Sequence, residues 1–150
     1  MLFQLLITLF PCAASVFAQQ HRVGTSGPSR RRCKVRAVGI TALRFLNEEY
    51  DPATNSWKML KAMPTARSGM AVAVLDGKIF AFGGERPGGT FNQTEANDPA
   101  TNTWAVLTPM PMSVHGTGAV TIGETIYIPA GGTLNGGTAQ TTGNQAFTLK

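Results

Sequence analysis

"YDPATNSW", Tyr50 to Trp57, decides how the rest of the chain is read. "NDPATNTW" stands 47 positions later, at Asn97 to Trp104, and six of the eight residues match in place. A string of that length does not recur by chance in 150 residues. The chain therefore carries an internal repeat, and a repeat settles the architecture before any single residue does. Within each copy, proline sets φ for a turn, while Asp and Asn tolerate the left-handed region and hydrogen-bond their own backbone. A tryptophan then opens the next strand. The string is a hairpin corner with an aromatic anchor after it, and it recurs because each unit needs the same corner in the same place.

The repeat continues downstream. At the same offset, "MPTARSGMAVAVLDGKIFAF" (63–82) lies over "MPMSVHGTGAVTIGETIYIP" (110–129). Each copy begins Met-Pro and runs into small and β-branched apolar residues, at 70–75 and 118–122. Each turns at Asp76-Gly77 or Gly123-Glu124 and enters a second apolar run. Each ends in a glycine pair, Gly83-Gly84 or Gly131-Gly132, the second preceded by one extra residue. Short apolar runs split by such turns read as β-hairpins. Beyond the N-terminal apolar segment, no stretch keeps a helical apolar spacing over a helix length. The class is all-β. One unit holds four strands, near 70–75, 78–82, 93–97 and 104–108. Strands near 44–49 and 56–60 make half a unit, and 117–149 hold three more, with 144–150 as the third. Residues 33–40 offer a further strand.

A glycine pair after an apolar strand, then Tyr, then Trp seven positions on, then Met-Pro, resembles a kelch repeat. The resemblance covers 44–132 and extends loosely to 150. Asn97 stands where the family has Tyr, and the last unit has no Trp. The resemblance implies a partial kelch β-propeller of two to three four-stranded antiparallel blades, where closed propellers have about four to eight. The chain is also similar to secreted kelch proteins of the galactose-oxidase-like group. An open arc leaves unpaired edges. It implies self-association or missing blades, and the chain reads as the C-terminal piece of a longer propeller. Tyr50, Trp57, Gly83, Gly84, Trp104, Gly131 and Gly132 are structural repeat residues. The tryptophans fill space between sheets, and the glycine pairs let backbones approach closely.

Residues 1–18 are apolar, uncharged and end "VFA", the pattern of a cleaved secretory signal. The run is too short, and carries Pro11, for a bilayer span. Cleavage would leave Cys33 as the one cysteine. The product is expected to be secreted, periplasmic or extracellular, with no membrane span after cleavage. Residues 19–43 form a basic, poorly structured arm, and 44–150 hold the kelch repeats. The net charge of +5 belongs to the N-terminal part. Residues 1–46 hold seven basic residues and no acid, while 47–150 hold six basic and eight acidic ones. "RRRCKVR" has no interleaved aromatic for stacking on bases, so no nucleic-acid partner is expected.

In a four-stranded meander, alternate connections lie on one side. Segments 61–68 and 108–116, before the first strands, thus share a face with 85–93 and 133–143, after the glycine pairs. Loops carry binding, and the candidates on this face are Arg67, Glu85, Arg86, Phe91, Asn92, His115 and Asn135. Phe91 stands out as an apolar side chain in a Gly-rich loop. Asn92-Gln93-Thr94 is a glycosylation sequon.

Catalytic patterns are missing. A copper-radical oxidase, an enzyme type of the resembled family, would require two tyrosines, two histidines and a cysteine at one metal. The chain has only His21, His115, Tyr50 and Tyr127, which do not fit such a set. No His/Cys cluster has zinc spacing, and "GTGAVTIG" leads into a turn rather than a nucleotide-binding helix. The expectation is a non-catalytic binding module without metal or cofactor, recognising protein or carbohydrate through its loop face. The alternative is a fragment of a propeller enzyme, of the carbohydrate oxidase or sugar isomerase type, whose catalytic residues lay in other blades.

Overall fold

The structure is a computed structural model that describes residues 14–17, 35–41, 44–136 and 138–149. The described chain is all-β and its sheets are antiparallel. The first sheet has the order β1 (Ala14–Phe17), β2 (Val35–Thr41), β3 (Arg44–Asp51), β4 (Ser56–Met59). β1 falls inside the stretch read as a signal, and most of the basic arm lies outside the described residues. Part of that arm is a strand rather than unstructured chain: β2 pairs with β3 from Val35↔Tyr50 to Thr41↔Arg44. Its "VRAVGIT" is rich in β-branched residues, which suit a pleated strand once a partner edge is at hand.

The second sheet is a complete meander. β5 (Ala71–Leu75) and β6 (Lys78–Phe82) form its inner hairpin. A small side hairpin, β7 (Glu85–Arg86) with β8 (Gly89–Thr90), follows. β9 (Thr94–Asp98) then pairs with β6, and β10 (Thr103–Leu107) closes the sheet. The third sheet pairs β11 (Val120–Ile122), β12 (Thr125–Pro129) and β15 (Asn144–Thr148). Between β12 and β15 stands a second side hairpin, β13 (Gly132–Leu134) with β14 (Thr138–Gln140).

The repeated corner has one geometry in both copies. Asp51 Oδ1 accepts the Ala53 amide, and Asp98 Oδ1 accepts the Ala100 amide, each at 2.9 Å. Asn55 and Asn102 hold φ near +50° (51° and 54°), the left-handed region that Asn tolerates. The inner turns differ. Asp76 and Gly77 both have positive φ, as a type I′ turn requires, whereas the Gly123-Glu124 turn has it at Gly123 alone, as in type II′.

Alternation along the strands builds two cores, one on each face of the second sheet. Ala71, Ala73, Leu75, Phe80 and Phe82 point forward, onto Ile126, Ile128 and Phe147 of the third sheet. Val72, Ile79 and Ala81 point backward with Trp104, onto Met63 and Met70. Phe147 meets Phe82 edge-on, with ring centroids 5.5 Å apart. Burying large apolar side chains contributes about 1.5–3 kcal/mol each, so these two layers hold the second and third sheets together.

The glycine pairs require a correction. Gly83 and Gly84 have φ of 60° and 109°. The residues that reproduce these angles in the third sheet are Ala130 (53°) and Gly131 (103°), not Gly131 and Gly132. No residue is inserted; the first glycine is replaced by alanine. A Cβ at Gly83 would lie 2.2 Å from the Val114 carbonyl oxygen, so glycine is compulsory there. Ala130 is exposed and meets no such constraint.

Candidate functional site

The four predicted connections do converge on one face. Ser68 and Glu85 exchange backbone hydrogen bonds, both at 2.8 Å, and His115 and Gly132 do the same at 3.0 and 2.9 Å. These are equivalent positions, 47 residues apart. The side hairpins β7–β8 and β13–β14 extend this face, and Thr90 Oγ1 ties them by donating to the Thr133 carbonyl. Both segments, loops by sequence, are strands paired in short hairpins. Their signals were the turn dipeptides Pro87-Gly88 and Asn135-Gly136.

His115 and Glu85 fasten the three connections to each other. His115 is buried, with Nδ1 3.3 Å from Glu85 Oε1 and Nε2 2.7 Å from the Leu134 carbonyl. Glu85 Oε2 accepts the Gly136 amide at 2.9 Å. Gly132 owes its identity to this ring, since a Cβ there would stand 2.6 Å from His115 Nε2. His115 and Glu85 are thus the frame of the face, and Glu85 spends both carboxylate oxygens inside it.

Arg67 does not reach the surface. Its side chain is fully buried and forms an ion pair with the equally buried Glu95, Nη1 to Oε2, at 2.7 Å. Nη2 donates to the Ala81 carbonyl, and Thr65 Oγ1 donates to Glu95 Oε1 at 2.5 Å. Burial pushes the Arg67 pKa below its ordinary value, and the charge and hydrogen bond of Glu95 push it back up. Arg67 therefore pins the connection before β5 onto β9. Asn92 is structural as well: its side-chain amide donates to the Met110 carbonyl at 3.0 Å, so the sequon nitrogen is already engaged.

What remains offered to solvent is small and specific. Arg86 is exposed, and its guanidinium lies 5.2 Å from the centroid of half-buried Phe91. A cation over an aromatic face is attracted by about 0.5–1 kcal/mol at exposed sites, which braces Arg86 without consuming its charge. On the neighbouring hairpin, Leu134 is 58% exposed and Asn135 is exposed beside it. Among the described residues, no three His, Cys, Asp or Glu side chains are grouped as metal ligands.

The kelch motif matches residues 66–111, the second sheet with its flanking connections. The chain is 45% identical to human Kelch-like protein 35 over 53 residues, which is 34% of this chain and 9% of that protein. It is 54% identical to zebrafish (Danio rerio) Kelch-like protein 15 over 37 residues, 25% of this chain and 6% of that one. The chain thus spans under a tenth of these relatives. The solved structure of YjhT superposes with a TM-score of 0.60 at 25% identity, covering 68% of this chain and 32% of that one. The second sheet carries the kelch motif, and the described fold is that of a partial kelch-repeat β-propeller.

Proposed function

We propose that this partial kelch propeller is a non-catalytic binding module that recognises protein through the face carrying its two side hairpins. The observation that carries the reading is a rigid frame with an unspent surface. The Glu85–His115–Gly136 links lock the connections. Arg86 over Phe91, with Leu134 and Asn135, stays outward on that frame. A fixed platform with a few exposed cationic, amide and apolar groups beside a half-buried aromatic ring suits macromolecular recognition, because little side-chain freedom is lost on binding. The kelch-like relatives support a protein partner by family. A carbohydrate is the finer alternative ligand, since Arg86 provides hydrogen-bond donors beside the Phe91 ring and Asn135 adds an amide on the neighbouring hairpin.

The test is to probe a peptide library and a glycan array with the full chain. An Arg86→Ala/Leu134→Asp variant is expected to lose its hits at least tenfold, while a Glu124→Ala control on the inner turn of the third sheet keeps them. Hits that persist in the double variant would place recognition elsewhere. Bound copper with turnover of a sugar would replace this reading by the enzyme alternative.

Export belongs to the same proposal and rests on the signal-like residues 1–18. Cleavage after Ala18 would take β1 away from β2. Mass spectrometry of the protein from its native source should show an N-terminus at Gln19; an intact Met1 would exclude export by this route.

A further inference from the structure

The tip of the second side hairpin reads Leu134-Asn135-Gly136. Asn135 is exposed, and Gly136 follows it with φ of 83°. An asparagine before a glycine has its side-chain amide open to attack by the next backbone nitrogen, because no Cβ shields that nitrogen and glycine turns freely. A Cβ at Gly136 would meet nothing within 4 Å, so no neighbour closes that side of the tip.

The other six asparagines lack this arrangement, since none is followed by glycine. Asn47 and Asn97 are also buried, and the Asn92 amide is held by the Met110 carbonyl. Asn55 Oδ1 accepts the Tyr50 hydroxyl, and Asn102 Oδ1 accepts the Lys61 amide. Asn144 precedes Gln145.

One contact at Asn135-Gly136 falls on the reacting atom itself. The Gly136 amide donates to Glu85 Oε2 at 2.9 Å. The other oxygen of Glu85 lies 3.3 Å from His115 Nδ1, so the carboxylate is held in place from behind. The Gly136 nitrogen must lose its proton before it can bond to Asn135 Cγ. While it donates to Glu85 it is turned toward that carboxylate, and the negative charge there opposes the anion that ring closure needs.

We propose that Asn135 is a site of spontaneous deamidation and that Glu85 sets its rate. The Gly136 nitrogen gives its proton to water and bonds to Asn135 Cγ. The Cγ–Nδ2 bond breaks, ammonia leaves, and a succinimide remains. Water then opens the ring at either carbonyl, giving aspartate or isoaspartate. The balance is amide plus water to carboxylic acid plus ammonia, with nothing oxidised or reduced.

Each species formed weakens the link that restrained it. The succinimide nitrogen has no hydrogen to donate to Glu85. Aspartate adds a second carboxylate on the residue next to the one that Glu85 holds, and isoaspartate lengthens the backbone by one carbon. The hairpin that carries Leu134 thus loses its Glu85 link as the protein ages, and keeps the bond from His115 to the Leu134 carbonyl.

The experiment incubates the full chain at neutral pH and follows each asparagine by peptide mass spectrometry. In the folded protein Asn135 should convert before any other asparagine. Unfolded in guanidinium at the same pH, it should convert about tenfold faster, the factor that a hydrogen bond to a charged group withholds. Folded Glu85→Ala should approach the unfolded rate. Glu85→Gln, which removes the charge and keeps the shape, should also be faster than wild type. Near-ultraviolet circular dichroism matching the wild type would assign the acceleration to the lost carboxylate, and Glu85→Gln carries the comparison if Glu85→Ala unfolds. After conversion, the amides of 133–136 should exchange with deuterium faster, with β9 and β10 unchanged. Another asparagine converting first in the folded protein, equal rates for folded and unfolded wild type, Glu85 variants no faster than wild type, or unchanged exchange after conversion would each overturn the proposal. The binding reading above does not depend on the outcome.

Discussion

The inner hairpin of the second sheet is covered on both faces and that of the third on one, although the two share a strand register. Phe80 in the second sheet is 1% exposed, and its counterpart Tyr127 in the third is half-buried. Gly83 cannot carry a side chain, because the Val114 carbonyl stands in the way; Ala130, at the same backbone angles, carries one. Trp104 has an acceptor in Lys61, while Trp57 pairs with Tyr50, ring centroids 5.0 Å apart, and remains exposed. The repeat unit thus sets which residue points where, and the neighbour sets whether that residue contributes to stability.

Substitutions at paired positions would break or sharpen this contrast. The largest effect is expected inside the second sheet, from Arg67→Ala, which strands Glu95 as a buried, unpaired charge. Breaking a buried pair costs about 3–5 kcal/mol, read as a lower urea midpoint in equilibrium unfolding. Glu124→Ala, on an exposed inner turn of the third sheet, should leave that midpoint within about 0.5 kcal/mol.

Next comes Gly83→Ala, which adds left-handed strain to a backbone clash and should cost roughly 3 kcal/mol. The reciprocal Ala130→Gly should be neutral or mildly stabilising, by up to about 1 kcal/mol, because it relieves left-handed strain with nothing packed on it. Equal losses at both positions in thermal unfolding would refute the assignment of Ala130 to the place of Gly83.

The smallest contrast is between the tryptophans. Trp104→Phe removes one indole hydrogen bond and should cost about 1 kcal/mol, whereas Trp57→Phe should cost under about 0.5 kcal/mol. Equal losses at the two positions in urea unfolding would refute the contrast between an anchored Trp104 and an exposed Trp57.

Much of the fold was legible in particular residues. "DPATN" carries its own instructions, since the Asp side chain, the proline and the left-handed Asn act within five positions, and both copies adopt them. The strands at 71–75, 78–82, 94–98 and 103–107 lie within about two residues of expectation, because alternation and turn chemistry are local properties. The loop face followed from the meander itself. Roles on it did not. Arg67 reads as a surface cation, and nothing within several residues of it announces Glu95, 28 positions away. His115 reads as an isolated histidine until Glu85 and the Leu134 carbonyl arrive from other connections. The extra residue assigned before the second glycine pair came from matching letters, where matching backbone angles places Ala130 opposite Gly83.

The sequence by itself determined the class, the repeat and the side of each sheet on which each strand residue lies. These depend on spacings of a few residues, and a single spacing of 47 copies them along the chain. Tertiary structure alone decided which of those residues are buried, which charges are consumed in ion pairs and which remain outward. Burial and pairing depend on what a distant segment brings within a few ångströms, and no periodicity in the chain encodes that distance.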